Sequence, residues 1–211
     1  LKEVDFHDWP RRKKACFVNA LSGFRMAFLV GTGVGPKEEN LSIFNSIVHV
    51  GSNPPLLGLV FRPLTVERHT YDHIKNYGAL TLNSVPLKYY RSAHATSAKY
   101  PKDVSEFDRC GFSPGHRDGF AAPYVVESPL RIGCSLSGEY PLKENQCIFM
   151  VVRIEWVQTL PGAIEADGFL DHTQLGNTGV IGLDAYYSAH LQERLAYAQP
   201  DRPIEPLDHG S

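Results

Sequence analysis

What most narrows the fold of this chain is the brevity of its apolar runs and the turn residues that close them. Residues 55–61 form a continuous apolar stretch bounded by Asn53-Pro54-Pro55 and by Pro63, as expected of a strand buried on both faces. Residues 79–85 alternate, with Leu80 and Leu82 on one face and Thr81 and Asn83 on the other; residues 130–136 alternate similarly. Residues 146–158 make the longest strand candidate, where Arg153 and Glu155 open one face to solvent or a partner. Residues 15–21 and 26–32 flank Ser22-Gly23 and read as a hairpin. The helical spacings are fewer and shorter: residues 66–77 closed by Gly78, residues 90–98, a turn over 105–110 before Gly111, and residues 183–198 ahead of Pro200. Many short strands with few helices between them predict a mostly β (α+β) chain, a β-barrel or α+β domain rather than a doubly wound sheet.

No repeat and no Gly-, Ser- or Pro-rich linker divides the sequence, so residues 1–211 are expected to form one domain, with a core over about 15–187 and a tail over 188–211. At 43% hydrophobic and 21% charged residues, the chain can bury a core and is not largely disordered. Twenty-one basic residues against 23 acidic ones leave a formal charge of -2, without the basic stripe of a nucleic-acid binder. Apolar runs such as 147–152 are too short to span a bilayer, and residues 1–14 are charged where a signal peptide is apolar; the expected location is the cytoplasm. Cys16, Cys110, Cys134 and Cys147 show no C-x-x-C spacing and read as reduced thiols acting as small hydrophobes.

Three motifs invite chemistry and fall short of it. Gly31-Thr32-Gly33-Val34-Gly35 follows a strand, but Pro36, Lys37, Glu38 and Glu39 come next and no helix opens there; a loop between strands is expected. His69 and His73 stand four apart on the predicted helix, yet no third metal ligand is identifiable, and solvent-facing or hydrogen-bonded histidines are expected there and at His94, His116 and His172. The run 133–138 misplaces the glycine that a hydrolase elbow needs after Ser135.

Residues 40–70 carry more. Asn40-Leu41-Ser42-Ile43-Phe44-Asn45-Ser46 mixes amides and hydroxyls with apolar side chains just before the proline-set turn Ser52-Asn53-Pro54-Pro55. Arg62, then His69 and Thr70 at a helix start, suit a phosphate, because a guanidinium binds it bidentately and free N–H groups point outward from a helix N-terminus. A capped helix beside a surface arginine would show the same residues.

At these positions the chain resembles the flavin reductase-like, FMN-binding split-barrel family, which includes flavoredoxin-like proteins. The resemblance rests on Asn40-Leu41-x-x-Phe44-x-Ser46, Ser52-x-Pro54-Pro55, Thr70-x-x-x-Ile74 with Asn83, Val104-Ser105-Glu106-Phe107 with Gly111, and Glu127-Ser128-Pro129-Leu130 with Cys134, in that order. It implies a six-stranded split barrel with a few short peripheral helices, usually a homodimer with FMN near the interface. Phe44, Asn45 and Ser46 would then lie along the flavin and its phosphate tail, Ser52 and Asn53 near the ring, and Arg62 and Thr70 at the phosphate, with Asn40 and His69 also counted among the cofactor-binding residues. The chain departs from the family's common residues at Ser42-Ile43 (Ala-Pro), Asn45 (Ser) and His73-Ile74 (Asn-Ile). The implied activity is an NAD(P)H-dependent flavin reductase, in which NADH or NADPH gives hydride to flavin N5 and no catalytic side chain is required. The alternatives are a non-enzymatic FMN electron carrier or flavin store, and a split barrel that has exchanged flavin for another planar ligand.

Overall fold

Runs closed by proline or glycine become strands. The computed structural model describes residues 1–101 and 103–207, so the last four residues of the expected tail lie outside it. In chain order the elements are α1 (Arg11–Leu21), β1 (Arg25–Met26), β2 (Phe28–Thr32), β3 (Asn40–Phe44), β4 (Ile47–Ser52), β5 (Pro55–Phe61), α2 (His69–Tyr77), β6 (Ala79–Ser84), a 3-10 turn (Leu87–Tyr89), α3 (Tyr90–Ala95), α4 (Glu106–Cys110), β7 (Pro114–Arg117), β8 (Phe120–Val125), β9 (Leu130–Pro141), β10 (Ile148–Thr159), β11 (Thr178–Ile181) and β12 (Ala185–Ser188).

Seven strands build the main sheet in the order β3-β2-β6-β9-β10-β5-β4. Its two outer strands, β3 and β4, are consecutive in the chain and are joined by Asn45 and Ser46 alone. Three residue steps reach on the order of 10 Å, so the edges must come together and the sheet must curl closed. Ser46 fastens that closure: its carbonyl accepts from Val60 N at 3.3 Å and its hydroxyl donates to the Val60 carbonyl at 3.0 Å. The result is the expected split barrel, counted here as seven strands because residues 40–52 supply two.

Alternation assigns the core. Phe28 and Val30 join Leu80, Leu82, Ile132 and Met150 inside the barrel, while Ala27 and Leu29 pack outward with Leu41, Phe107 and Val125 under the helices. Thr81 and Asn83, on the outward face of β6, are buried as well. Thr81 Oγ1 donates to the Pro123 carbonyl at 2.6 Å, and Asn83 donates to the Leu29 carbonyl and accepts from Val125 N. Helix α2 ends at Gly78, whose φ of 67° is open to glycine at little cost. Its flank is tied to β9: Tyr71 and Lys75 donate to the two Glu139 oxygens at 2.9 and 2.7 Å. The Lys75 contact holds the Glu139 carboxyl below its usual range.

Two elements differ from expectation. Residues 15–21 are the second half of helix α1, not the first strand of a hairpin. Preceded by Arg11-Arg12-Lys13-Lys14, the short apolar run belongs to a longer stretch of good helix formers, and its Phe17 packs on Phe6 and Trp9. Residues 183–198 are not helical. β12 pairs with β11, and Arg194 is drawn to Glu165 and Asp167 with its guanidinium over Phe169. These long-range partners outweigh a weak local preference. The other helices and strands lie where expected, shortened or lengthened by a few residues.

Candidate functional site

The residues singled out from the sequence fall into two groups at the two ends of β3. At the first end, Asn40 opens β3 and Thr70 sits in the first turn of α2; both are 6% exposed. Asn40 Nδ2 donates to Thr70 Oγ1 at 2.9 Å and to Thr32 Oγ1 at 3.3 Å, and the Thr32 hydroxyl lies 3.4 Å from His73 Nδ1. Buried polar groups need such partners, and this network anchors α2 to β2 and β3. His69 lies beside it, half-buried, 4.0 Å from Glu67.

A cleft of about 370 Å³ opens over this end, lined by Glu38, Glu39, Asn40, His69, His73 and Glu106 among others. Its walls carry four carboxylates against Lys37 and two histidines. Glu39 pairs with His116 at 2.7 Å, and Glu106 Oε2 accepts from Leu41 N at 3.0 Å. Burial pushes the Glu106 carboxyl above its usual range, opposed by the Leu41 N–H. Glu38, Glu39, Asp103 and Glu106 make a poor seat for a phosphate. His69 and His73 do share the cleft, but no group of three or more His, Cys, Asp or Glu is placed for a metal among the described residues.

At the other end, Phe44 closes β3 with its ring 5.1 Å from Phe61. Asn45 and Ser46, both half-buried, form the link to β4, and each already spends a side-chain donor: Asn45 Nδ2 on the Gly182 carbonyl at 2.6 Å, Ser46 Oγ on Val60. Ser52 and Asn53 stand exposed at the β4–β5 turn, where His49 Nε2 lies 3.3 Å from Ser52 Oγ. At ~3.3 Å per residue they lie roughly 20 Å from Ser46. One ligand touching both must therefore lie along β4. Arg62, just after β5, is exposed and has no polar partner among the described residues.

Arg68 stands in the Glu67-Arg68-His69-Thr70 run at the helix start but is not among the candidate site residues read from the sequence. It holds the N-cap position of α2, where a Ser, Thr, Asp or Asn normally supplies an oxygen, and no side chain caps that end. Its Nη2 reaches the Pro63 carbonyl at 3.5 Å, while its Nε is buried without a partner. The signal was a basic residue immediately before His69-Thr70. An uncapped helix N-terminus, a guanidinium with an unspent donor and a second unpaired arginine six residues earlier fit a phosphate group.

Of the other histidines singled out, His94 is hydrogen-bonded to Tyr186 at 2.8 Å, His116 to Glu39 and His172 to Asn177 at 3.0 Å. All four cysteines are free, with Cys110 and Cys134 buried and Cys16 exposed. Residues 33–39 form a loop between antiparallel strands. Gly33, at φ 96°, sits so close to the Glu38 carbonyl that a Cβ would collide with it.

Compared with known proteins, residues 24–174 match the family described as "Flavin reductase like domain". The chain belongs to the flavin reductase-like family. A crystal structure from Shewanella frigidimarina NCIMB 400, described as a flavin reductase with split barrel domain, superimposes with a TM-score of 0.87 at 38% identity, over 93% of this chain and 100% of that one. Flavoredoxin of Desulfovibrio vulgaris (Miyazaki F) shares the fold at a TM-score of 0.69 and 23% identity, covering 85% and 93% of the two chains. So does an NADH:FAD oxidoreductase of Streptomyces globisporus C-1027, at 0.66 and 14%, covering 90% and 99%. No curated protein matched in sequence. No helix among the described residues is long and apolar enough to cross a membrane.

Proposed function

We propose that this flavin reductase-like protein binds FMN and reduces it with NADH or NADPH. The observation that carries this reading is the uncapped start of α2, where Arg68 keeps a buried Nε unspent, with Arg62 exposed and unpaired six residues earlier in the chain. Arg62, Arg68 and the first-turn N–H groups of α2, His69 and Thr70 among them, would hold the phosphate. The Thr70 hydroxyl is already fixed by Asn40, so Thr70 is set in place before a ligand arrives. Phe44 would border the flavin with Asn45 and Ser46, and Ser52 and Asn53 would meet it from the β4–β5 turn. The chemistry such a group supplies when bound is two-electron transfer, with the nicotinamide as hydride donor at N5. The protein's part is to orient both rings and exclude water, which needs no acid–base side chain.

Support for a homodimer comes from β4, an outer strand with Val48 45% and Val50 42% exposed; a second copy would cover them. The cytoplasm is the compartment in which reduced nicotinamides and free thiols such as these coexist.

The test is titration of flavin-free protein with FMN, FAD and riboflavin, followed by anaerobic mixing of the complex with NADH and NADPH. Tight FMN uptake and bleaching by a nicotinamide are expected. Protein that takes up no flavin would overturn the reading; binding without bleaching by either donor would leave an electron carrier. Arg62→Ala should weaken FMN at least about tenfold more than riboflavin, and equal losses would remove Arg62 from the phosphate.

A further inference from the structure

The family match ends at residue 174, yet the hairpin beyond it reaches back to the proposed flavin seat. β11 and β12 pair with Ile181 opposite Ala185, so residues 182–184 make the turn at their tip. Gly182 in that turn is buried, and its carbonyl accepts the 2.6 Å hydrogen bond from Asn45 Nδ2. A serine hydroxyl is one bond shorter than the asparagine amide and would fall short of that carbonyl. The bond therefore needs the longer side chain of Asn45.

The rest of the hairpin is anchored below the turn. Arg25 and Met26 pair with Val180 and Gly179, Ala27 N donates to the Thr178 carbonyl at 3.0 Å, and the Tyr186 hydroxyl meets His94 Nδ1 at 2.8 Å. Among the described residues no other hydrogen bond ties residues 182–184 to the barrel. Next to the bonded carbonyl stands Leu183, 48% exposed, an apolar side chain open to water where the hairpin meets the β3–β4 link. An apolar crest suits a planar ring and cannot hold a phosphate.

We propose that Asn45 is a positioning residue: its amide latches the β11–β12 turn against the β3–β4 link, and the latched turn, with Leu183 at its crest, forms a wall of the flavin site on the ring side. This rests on the flavin reading above. It reassigns Asn45 from the phosphate tail to the geometry of the ring pocket.

The experiment compares wild type with Asn45→Ser and, separately, Leu183→Glu. Hydrogen exchange is followed over residues 178–188 in flavin-free protein, and affinity and the visible band of bound flavin are measured for FMN and riboflavin. In Asn45→Ser, exchange in the hairpin should speed by about fivefold to tenfold, as for the loss of one hydrogen bond, with exchange elsewhere unchanged. FMN and riboflavin should weaken by the same factor, about fivefold, and the bound flavin should lose the resolved band shape of a ring shielded from water. A loss confined to FMN would put Asn45 on the phosphate and overturn the latch, as would unchanged exchange. Leu183→Glu changes an exposed side chain, so it should leave the hairpin's exchange alone and still weaken both flavins; unaltered affinities would overturn the wall. Wild-type protein that binds neither flavin would sink the flavin reading and the wall with it, while the exchange comparison would still decide the latch by itself.

Discussion

The two ends of β3 carry residues of one motif and use them differently. At the Asn40 end the polar groups are buried and spent on each other: Asn40, Thr70, Thr32 and His73 form one network. At the Phe44 end the motif residues are half-buried, and beyond them Ser52, Asn53 and Arg62 are exposed. The difference teaches that one sequence pattern mixes buried residues already spent on one another, the floor, with exposed residues whose polar groups are still open to a ligand, the rim. Floor residues should act on stability, and rim residues on affinity.

The largest effect expected is at the floor. Asn40→Leu strands the buried Thr70 hydroxyl and leaves Thr32 only His73, and should cost about 1–3 kcal/mol, seen as a melting temperature lower by roughly 3–10 °C in flavin-free protein. A variant that melts like wild type would break the comparison. Next, Arg68→Met keeps the packing of the stem and removes an unspent donor. It should leave the melting temperature close to wild type yet weaken FMN about tenfold to a hundredfold relative to riboflavin. A large stability loss without a change in that ratio would move Arg68 to the floor.

Glu106 sharpens the floor further through pH. Its carboxyl is held above the usual range by burial, against the Leu41 N–H, its own backbone and His69. A raised folded-state pKa means that its stabilising contribution is whole below the unfolded value and lost as pH rises through the folded one. Glu106→Gln keeps an acceptor for Leu41 N and never ionises, so thermal melts should favour it over wild type increasingly as pH rises from acid to neutral. Glu106→Ala should lose stability at every pH. Smallest of all, Ser52→Ala at the exposed turn should change stability by under about 0.5 kcal/mol. Any effect it has should appear only in flavin titrations.

Legibility followed locality. The strands β5, β6, β9 and β10 were visible because proline, glycine or strict alternation marked them, and α2 because helical spacing ended at Gly78. α1 was read as a strand because a seven-residue apolar run does not distinguish the two periods. The 183–198 region was read as a helix because nothing near it announces that Arg194 will find Glu165 and Asp167. Of the site, the motif residues were legible, but their division into floor and rim was not. Thr70 looked like an open hydroxyl and proved to be bonded to Asn40, 30 residues away. Arg68 looked like any surface charge until its Nε was found buried and unspent.

The sequence by itself determined that this chain would be built of many short strands and where most of them would fall, because turn residues and alternation act within a few positions of themselves. Only the tertiary structure decided what each polar group is free to do. A donor's availability depends on what has folded against it, and for Asn45 that partner, Gly182, lies 137 residues along the chain.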